Sequence, residues 1–120
     1  FKIVMNQTII ETTCLMTMVS ICKFSGGGMQ FSKKGDPIDG LFDITIVKNI
    51  TLLDLILNIK KLYNGKIVAH PKVATYKTNK IIVDPKNSKP FIQADGELIG
   101  TGTATFSLIE KGIHFVIASD

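Results

Sequence analysis

A mainly β domain, a β-sandwich with one inserted α-helix, is what this sequence predicts, and three observations predict it. Short runs rich in Val, Ile, Thr and Phe recur along the chain, separated by Pro85, Pro90, Gly96, Gly100, Gly102 and Gly112. A single window, opening at Thr51, carries helical capping and periodicity instead. The chain has 120 residues, 45% of them hydrophobic and 20% charged, which suits one core and excludes a disordered tail. That length also excludes a multidomain enzyme within this chain.

Residues 1–5 and 9–24 read as the first strands. The second carries Cys14, Met16, Met18 and Cys22 on one face and Leu15, Val19 and Ile21 on the other, and two apolar faces predict a central strand. Gly26-Gly27-Gly28 breaks it, since residues without Cβ accept backbone angles closed to others and let a chain or ligand approach. A loop follows over 30–40. Residues 41–48 alternate Leu41, Asp43, Thr45 and Val47 against Phe42, Ile44, Ile46 and Lys48, a strand with one face wholly buried. Thr51-x-x-Asp54 resembles a capping box, Ile50 and Leu55 stand where a hydrophobic staple packs, and Asn64-Gly65 ends the helix. Leu52, Leu53, Leu55, Ile56, Leu57, Ile59 and Leu62 cover most of its circumference, leaving Asp54, Asn58 and Lys61 as a narrow polar stripe. Such a helix is expected to be clamped on more than one side. Further strands are expected at 73–76, 80–83, 91–94, 103–109 and 113–117.

The formal charge is +4, and all 14 basic residues are Lys. Without Arg, the chain has no planar guanidinium to clamp a phosphate or carboxylate in two-pronged fashion. The doublets Lys33-Lys34 and Lys60-Lys61 make no basic stripe, so no nucleic-acid partner is expected. The uncharged, apolar stretch 12–22 is too short to span a bilayer as a helix. Cys14 and Cys22 lack zinc-site or CxxC spacing and are read as core residues of a reduced, cytoplasmic protein. His70 and His114 stand alone and are read as packing or surface residues. Phe1 opens the chain with no leader pattern behind it, which predicts a piece of a longer protein.

Three clusters can carry chemistry. Asp95-Gly96-Glu97 is first of all a hairpin turn, because a type I′ turn wants positive φ at both central residues. Its functional reading is a pair of carboxylates two positions apart, one taking a proton while the other holds a cation or orients its partner. Asp36-Pro37-Ile38-Asp39-Gly40-Leu41-Phe42-Asp43 reads as a pair of turns, or as a loop offering carboxylate and carbonyl oxygens to magnesium or calcium. It does not match an EF-hand loop. Gly26-Gly27-Gly28-Met29 lacks the Lys-Ser/Thr ending of a phosphate cradle and reads as a tight turn.

Taken in order and spacing, Gly26-Gly27-Gly28-Met29, Asp39-Gly40-Leu41-Phe42-Asp43-Ile44, the Leu-rich helix closing at Gly65, and Asp95-Gly96-Glu97 resemble one family. It is the diacylglycerol kinase and sphingosine kinase type of lipid kinases, in particular the C-terminal domain of the bacterial soluble members, over nearly the whole chain. The resemblance implies that residues 1–120 are a C-terminal β-sandwich domain whose N-terminal nucleotide-binding domain, bearing Gly-Gly-Asp-Gly, is absent from this chain. It implies transfer of the ATP γ-phosphate to a lipid hydroxyl, with Asp95 and Glu97 as catalytic residues, either being the base. It also implies magnesium with the nucleotide and a second, structural magnesium in the loop, held by Asp36, Asp39 and the Leu41 carbonyl. Ser32-Lys33-Lys34-Gly35 and Ile38 depart from the family pattern at that loop. The partners implied are the lipid substrate, the N-terminal domain and, peripherally, the membrane surface of a cytoplasmic enzyme, with a homodimer left open. The competing reading is a stand-alone β-sandwich binding module without catalysis. A third is a relative of the sugar or nicotinamide-nucleotide kinases, against which the Asp-Gly-Glu motif argues.

Overall fold

The computed structural model describes residues 1–32 and 35–113, the side chains of Leu52 and Leu55 excepted. The expected strand over 113–117 lies outside these beyond its first residue, as do His114, the Lys33-Lys34 doublet and the Leu55 half of the staple.

Two antiparallel sheets form the sandwich. One contains β1 (Lys2–Met5), β2 (Thr8–Glu11), β8 (Lys80–Asp84) and β11 (Ala104–Ser107) in the order β11-β8-β1-β2. The other contains β3 (Cys14–Ser20), β6 (Phe42–Lys48) and β7 (Val73–Thr78) in the order β3-β6-β7. Two hairpins, β4 (Phe24–Ser25) with β5 (Met29–Gln30) and β9 (Phe91–Ala94) with β10 (Glu97–Thr101), pair only with themselves among the described strands. The core lies between the sheets: Ile3, Met5 and Ile81 meet Cys14, Phe42, Ile44 and Ile46, and Ile3, Ile44 and Ile81 are wholly excluded from solvent. These side chains share a face because strand residues two apart point the same way. The mainly β, sandwich-like class expected from the sequence is the one observed.

The single central strand expected over 9–24 is corrected to three pieces. After β2 the Thr12 amide donates to the Phe1 carbonyl (3.0 Å), and the chain then leaves the first sheet for the second. Among the described strands β3 lies at a sheet edge, and an irregularity between Cys14 and Met16 re-aims it, so Leu15 is 65% exposed while Cys14 is buried. Cys22 is exposed and free, so of the two thiols only Cys14 belongs to the core. The central strand is β6 instead. Phe42, Ile44 and Ile46 face the sandwich core, and Asp43, Thr45 and Val47 on the opposite face are buried as well. The Thr45 hydroxyl donates to the Phe31 carbonyl (2.6 Å), which ties the 31–32 segment across that second face. A strand covered on both sides replaces the one-sided strand expected there.

The helix α1 (Leu52–Tyr63) forms as its caps dictate. The Thr51 hydroxyl accepts from the Asp54 amide (3.1 Å) and the Asp54 carboxylate accepts from the Thr51 amide (3.3 Å), a reciprocal capping box. Beyond Asn64, Gly65 takes φ 70°, and a 3-10 turn (Lys66–Ala69) follows. α1 packs against that turn and β5. The clamping expected of it is not met among the described residues: Leu53, Ile56, Leu57, Ile59 and Tyr63 are exposed, whereas Asp54 and Asn58 lie on the more covered side. The polar side is the anchored one, because Lys72 bonds Asp54 (2.6 Å) and the Asn58 amide donates to the Asp54 carbonyl (2.7 Å).

Ahead of β6, a Cβ at Gly35 would stand 2.5 Å from the Lys23 nitrogen and 2.7 Å from the Cys22 carbonyl carbon, so two backbones touch there. Among the described residues no helix is long and apolar enough to cross a membrane.

Candidate functional site

The Asp95-Gly96-Glu97 tip is built as a two-residue hairpin loop. Ala94 and Glu97 are register partners, and Asp95 (φ 49°) and Gly96 (φ 91°) supply the two positive φ values of a type I′ turn. Gly96 is suited to its angle by lacking Cβ, and Asp is among the few residues that tolerate it. The Gln93 side-chain amide closes the loop by donating to the Gly96 carbonyl (3.2 Å). Both carboxylates are exposed, and no hydrogen bond or ion pair joins either to another described residue. The tip therefore presents two acceptors outward. The turn explains the backbone completely and leaves both side chains free to act.

The acidic loop is built differently. The Ile38 amide donates to Asp36 Oδ1 (3.1 Å) and the Leu41 amide to Asp39 Oδ1 (2.9 Å), so each aspartate closes its own turn. Gly40, at φ 70°, carries the chain into β6, and the Glu110 side chain lies over it. Asp39 Oδ2 takes the Lys77 ammonium, which also stands 3.6 Å from Oδ2 of Asp43. The Lys77 hydrogen bond, with a smaller part from the Leu41 amide, holds the Asp39 carboxyl below its ordinary range, while Asp39 raises Lys77. An open cavity of about 390 Å³ beside this cluster is lined by Ser32, Asp43, Thr45, Val68, Tyr76 and Lys77.

The structure gathers Asp36, Asp39 and Leu41 in one loop, and Asp95 and Glu97 at one hairpin tip. No hydrogen bond or ion pair joins the two groups among the described residues. Nor does any set of three or more His, Cys, Asp or Glu side chains gather there as a ready metal cage. A hard cation in the loop would draw on Asp39, with carbonyl oxygens such as that of Leu41 completing the set, and would meet Lys77 on the same carboxylate. Lys77 was invisible to sequence reasoning. It lies 38 residues from Asp39 and comes opposite Asp43 only through the register of β6 with β7.

Gly26, Gly27 and Gly28 take φ values of 39°, 71° and 95° and form the turn between β4 and β5, as their composition predicts.

The described residues thus form a two-sheet sandwich with an inserted helix, an acidic loop entering the central strand and an Asp-Gly-Glu hairpin. The family model for the YegS C-terminal NAD kinase beta sandwich-like domain matches residues 1–116. The chain belongs to that family, the C-terminal domain of a group of lipid kinases. No curated protein matches the chain.

Proposed function

We propose that this chain is the lipid-side domain of an ATP-dependent kinase of the diacylglycerol kinase type, acting at the membrane surface in the cytoplasm. The observation that carries the reading is the Asp95-Gly96-Glu97 tip, in a chain that belongs to a lipid kinase domain family. Two carboxylates fixed by a rigid turn, exposed and unspent on the rest of the fold, are what proton abstraction at a domain cleft needs. In the reaction, one of them takes the proton of the lipid hydroxyl as that oxygen bonds to the γ-phosphorus, and ADP leaves with the electrons of the broken bond. Magnesium bound with ATP supplies charge neutralisation on the phosphates. The nucleotide is held mainly by a companion N-terminal domain, and Asp95 and Glu97 contribute position and charge from this side.

The test is ATP-dependent phosphate transfer to a lipid panel that includes diacylglycerol and sphingoid bases. It uses the protein together with its nucleotide-binding domain, beside its Asp95→Asn and Glu97→Gln forms. Removal of the base lowers kcat by roughly 10²–10⁴ with folding intact. Asn tolerates the positive φ of position 95, so Asp95→Asn separates charge from backbone. Full activity in both variants would sink the site assignment. Absence of transfer to every lipid would favour the binding-module reading.

A further inference from the structure

The outward face of α1 is apolar over its first two turns and basic over its last. Leu53, Ile56, Leu57 and Lys60 form one exposed stripe, because residues three and four apart share a helix face. Leu53 and Leu57 are 66% and 71% exposed, so neither gains appreciably from the described fold. Tyr63 flanks the stripe and is exposed as well. The opposite side, with Asp54 and Asn58, is tied down by Lys72, so the helix is anchored with its apolar side outward. An apolar patch held open on an anchored helix marks a surface that something else covers.

Charge selects the cover. Residues 44–83 hold seven of the chain's 14 Lys and one of its ten acids, a local charge of +6 where the whole chain carries +4. That one acid, Asp54, is already bonded to Lys72. Lys60 and Lys61 in the last turn, and Lys66 in the turn beyond it, are exposed and pair with no carboxylate among the described residues. A second copy of the chain laid on this face would trap Lys60 among leucines with no acid to meet it. A bilayer containing anionic phospholipid suits both halves: the apolar side chains enter the acyl boundary while the lysines extend along their own stems to the phosphates. The β9–β10 hairpin also exposes Phe91, Leu98 and Ile99, but Asp95 and Glu97 at its tip would be repelled by the same surface.

We propose that the outward face of α1 is the membrane-docking surface of this protein, with Leu53, Ile56 and Leu57 entering an anionic bilayer interface and Lys60, Lys61 and Lys66 on its phosphates. The inference rests on the lipid-substrate reading above and specifies which side of the domain meets the bilayer. The helix lies along the surface, since its 12 residues are too few to cross. Each lysine near such a surface raises partition roughly fivefold, and each leucine drawn from water about tenfold, which suits reversible attachment.

The experiment is flotation of the full-length protein, without ATP, on vesicles of phosphatidylcholine alone or mixed with phosphatidylglycerol. The variants are Leu53→Gln with Leu57→Gln, Lys60→Gln with Lys61→Gln, and Leu98→Gln as a control on the other apolar surface. Gln is as good a helix former as Lys and nearly as good as Leu, and circular dichroism checks that each variant folds. The wild type is expected to float with the mixed vesicles and to release as salt rises. The leucine pair and the lysine pair are each expected to weaken that binding at least about tenfold, while Leu98→Gln binds as the wild type does. Wild type that binds neither vesicle, or either pair of substitutions leaving binding intact, would overturn the proposal. A changed oligomeric mass for the leucine pair with vesicle binding intact would assign the face to a second copy instead. Loss with Leu98→Gln alone would overturn it in favour of the hairpin. A failed lipid panel with vesicle binding that depends on α1 overturns the kinase reading alone. Lipid phosphorylation with vesicle binding indifferent to α1 overturns this one alone.

Discussion

One oxygen, Oδ2 of Asp54, receives both the Lys72 ammonium and the Thr51 amide. Lys72 foremost, and then Thr51, lower the Asp54 carboxyl from 3.8 to about 2. A carboxyl depressed in the folded state contributes stability above its unfolded pKa of 3.8, and the contribution is lost as pH falls through about 2. Melting curves should therefore show the wild type losing its advantage over Asp54→Asn as pH drops from about 4 to about 2. Because the pair is partly open to solvent, high salt should shrink the difference. A melting difference that stays flat across that window would contradict the ion pair. Thr51 and Asp54 were legible in the sequence because a capping box is written within four residues. The Lys72 contact was not, since it bridges 18 positions and depends on where the turn after α1 delivers the chain. The same division separates the Asp95-Gly96 turn, read directly from two adjacent residues, from the Lys77 bridge to Asp39, fixed by strand register.

Among the elements, β6 carries the sandwich. Its Ile44 is wholly buried, pairs with Val19 on one side and Tyr76 on the other, and belongs to the central cluster. Ile44→Ala should cost about 2–5 kcal/mol in denaturant unfolding, the range for truncating a wholly buried isoleucine. A cost under about 1 kcal/mol would mean the core is looser than its burial indicates. The alternation of residues 41–48 predicted this strand, but not the cover on its second face. Asp43, Thr45 and Val47 are partly polar, and the bond that ties Phe31 to Thr45 spans 14 positions and is no local signal. The opposite error befell 9–24. Two apolar faces there looked like a buried strand, yet Ile9, Leu15, Met16 and Ile21 are exposed because the run is shared between two sheets and a turn. Hydrophobic patterning reports a preference for cover and is silent on whether this chain supplies it.

At the scale of the whole molecule, two sheets closing on one core make a stable platform, while several apolar surfaces stay open. Leu53, Ile56 and Leu57 on α1, and Phe91, Leu98 and Ile99 on the β9–β10 hairpin, are exposed in quantity unusual for an isolated domain. On the proposed reading the hairpin tip works opposite a nucleotide-binding partner. The 120-residue chain by itself should then transfer no phosphate to lipid, and supplying the companion domain should restore turnover. Transfer by the chain alone in a radiolabelled-ATP assay would overturn that division of labour. The fold class was readable because strand runs and the helix are local signals. The kinase assignment was readable because four motifs keep their order across the chain, each one ambiguous when taken singly.

Gly35 contributes no functional group, yet it decides how near the acidic loop can come to the Cys22-Lys23 backbone. Any side chain there must push the two strands of backbone apart, and Asp36 is the next residue along. Variation at position 35 would thus be filtered by volume and not by chemistry: even alanine, harmless on most surfaces, would displace the oxygen donors that follow it. The geometry of a charged loop is here inherited from a hydrogen atom where other residues keep a carbon.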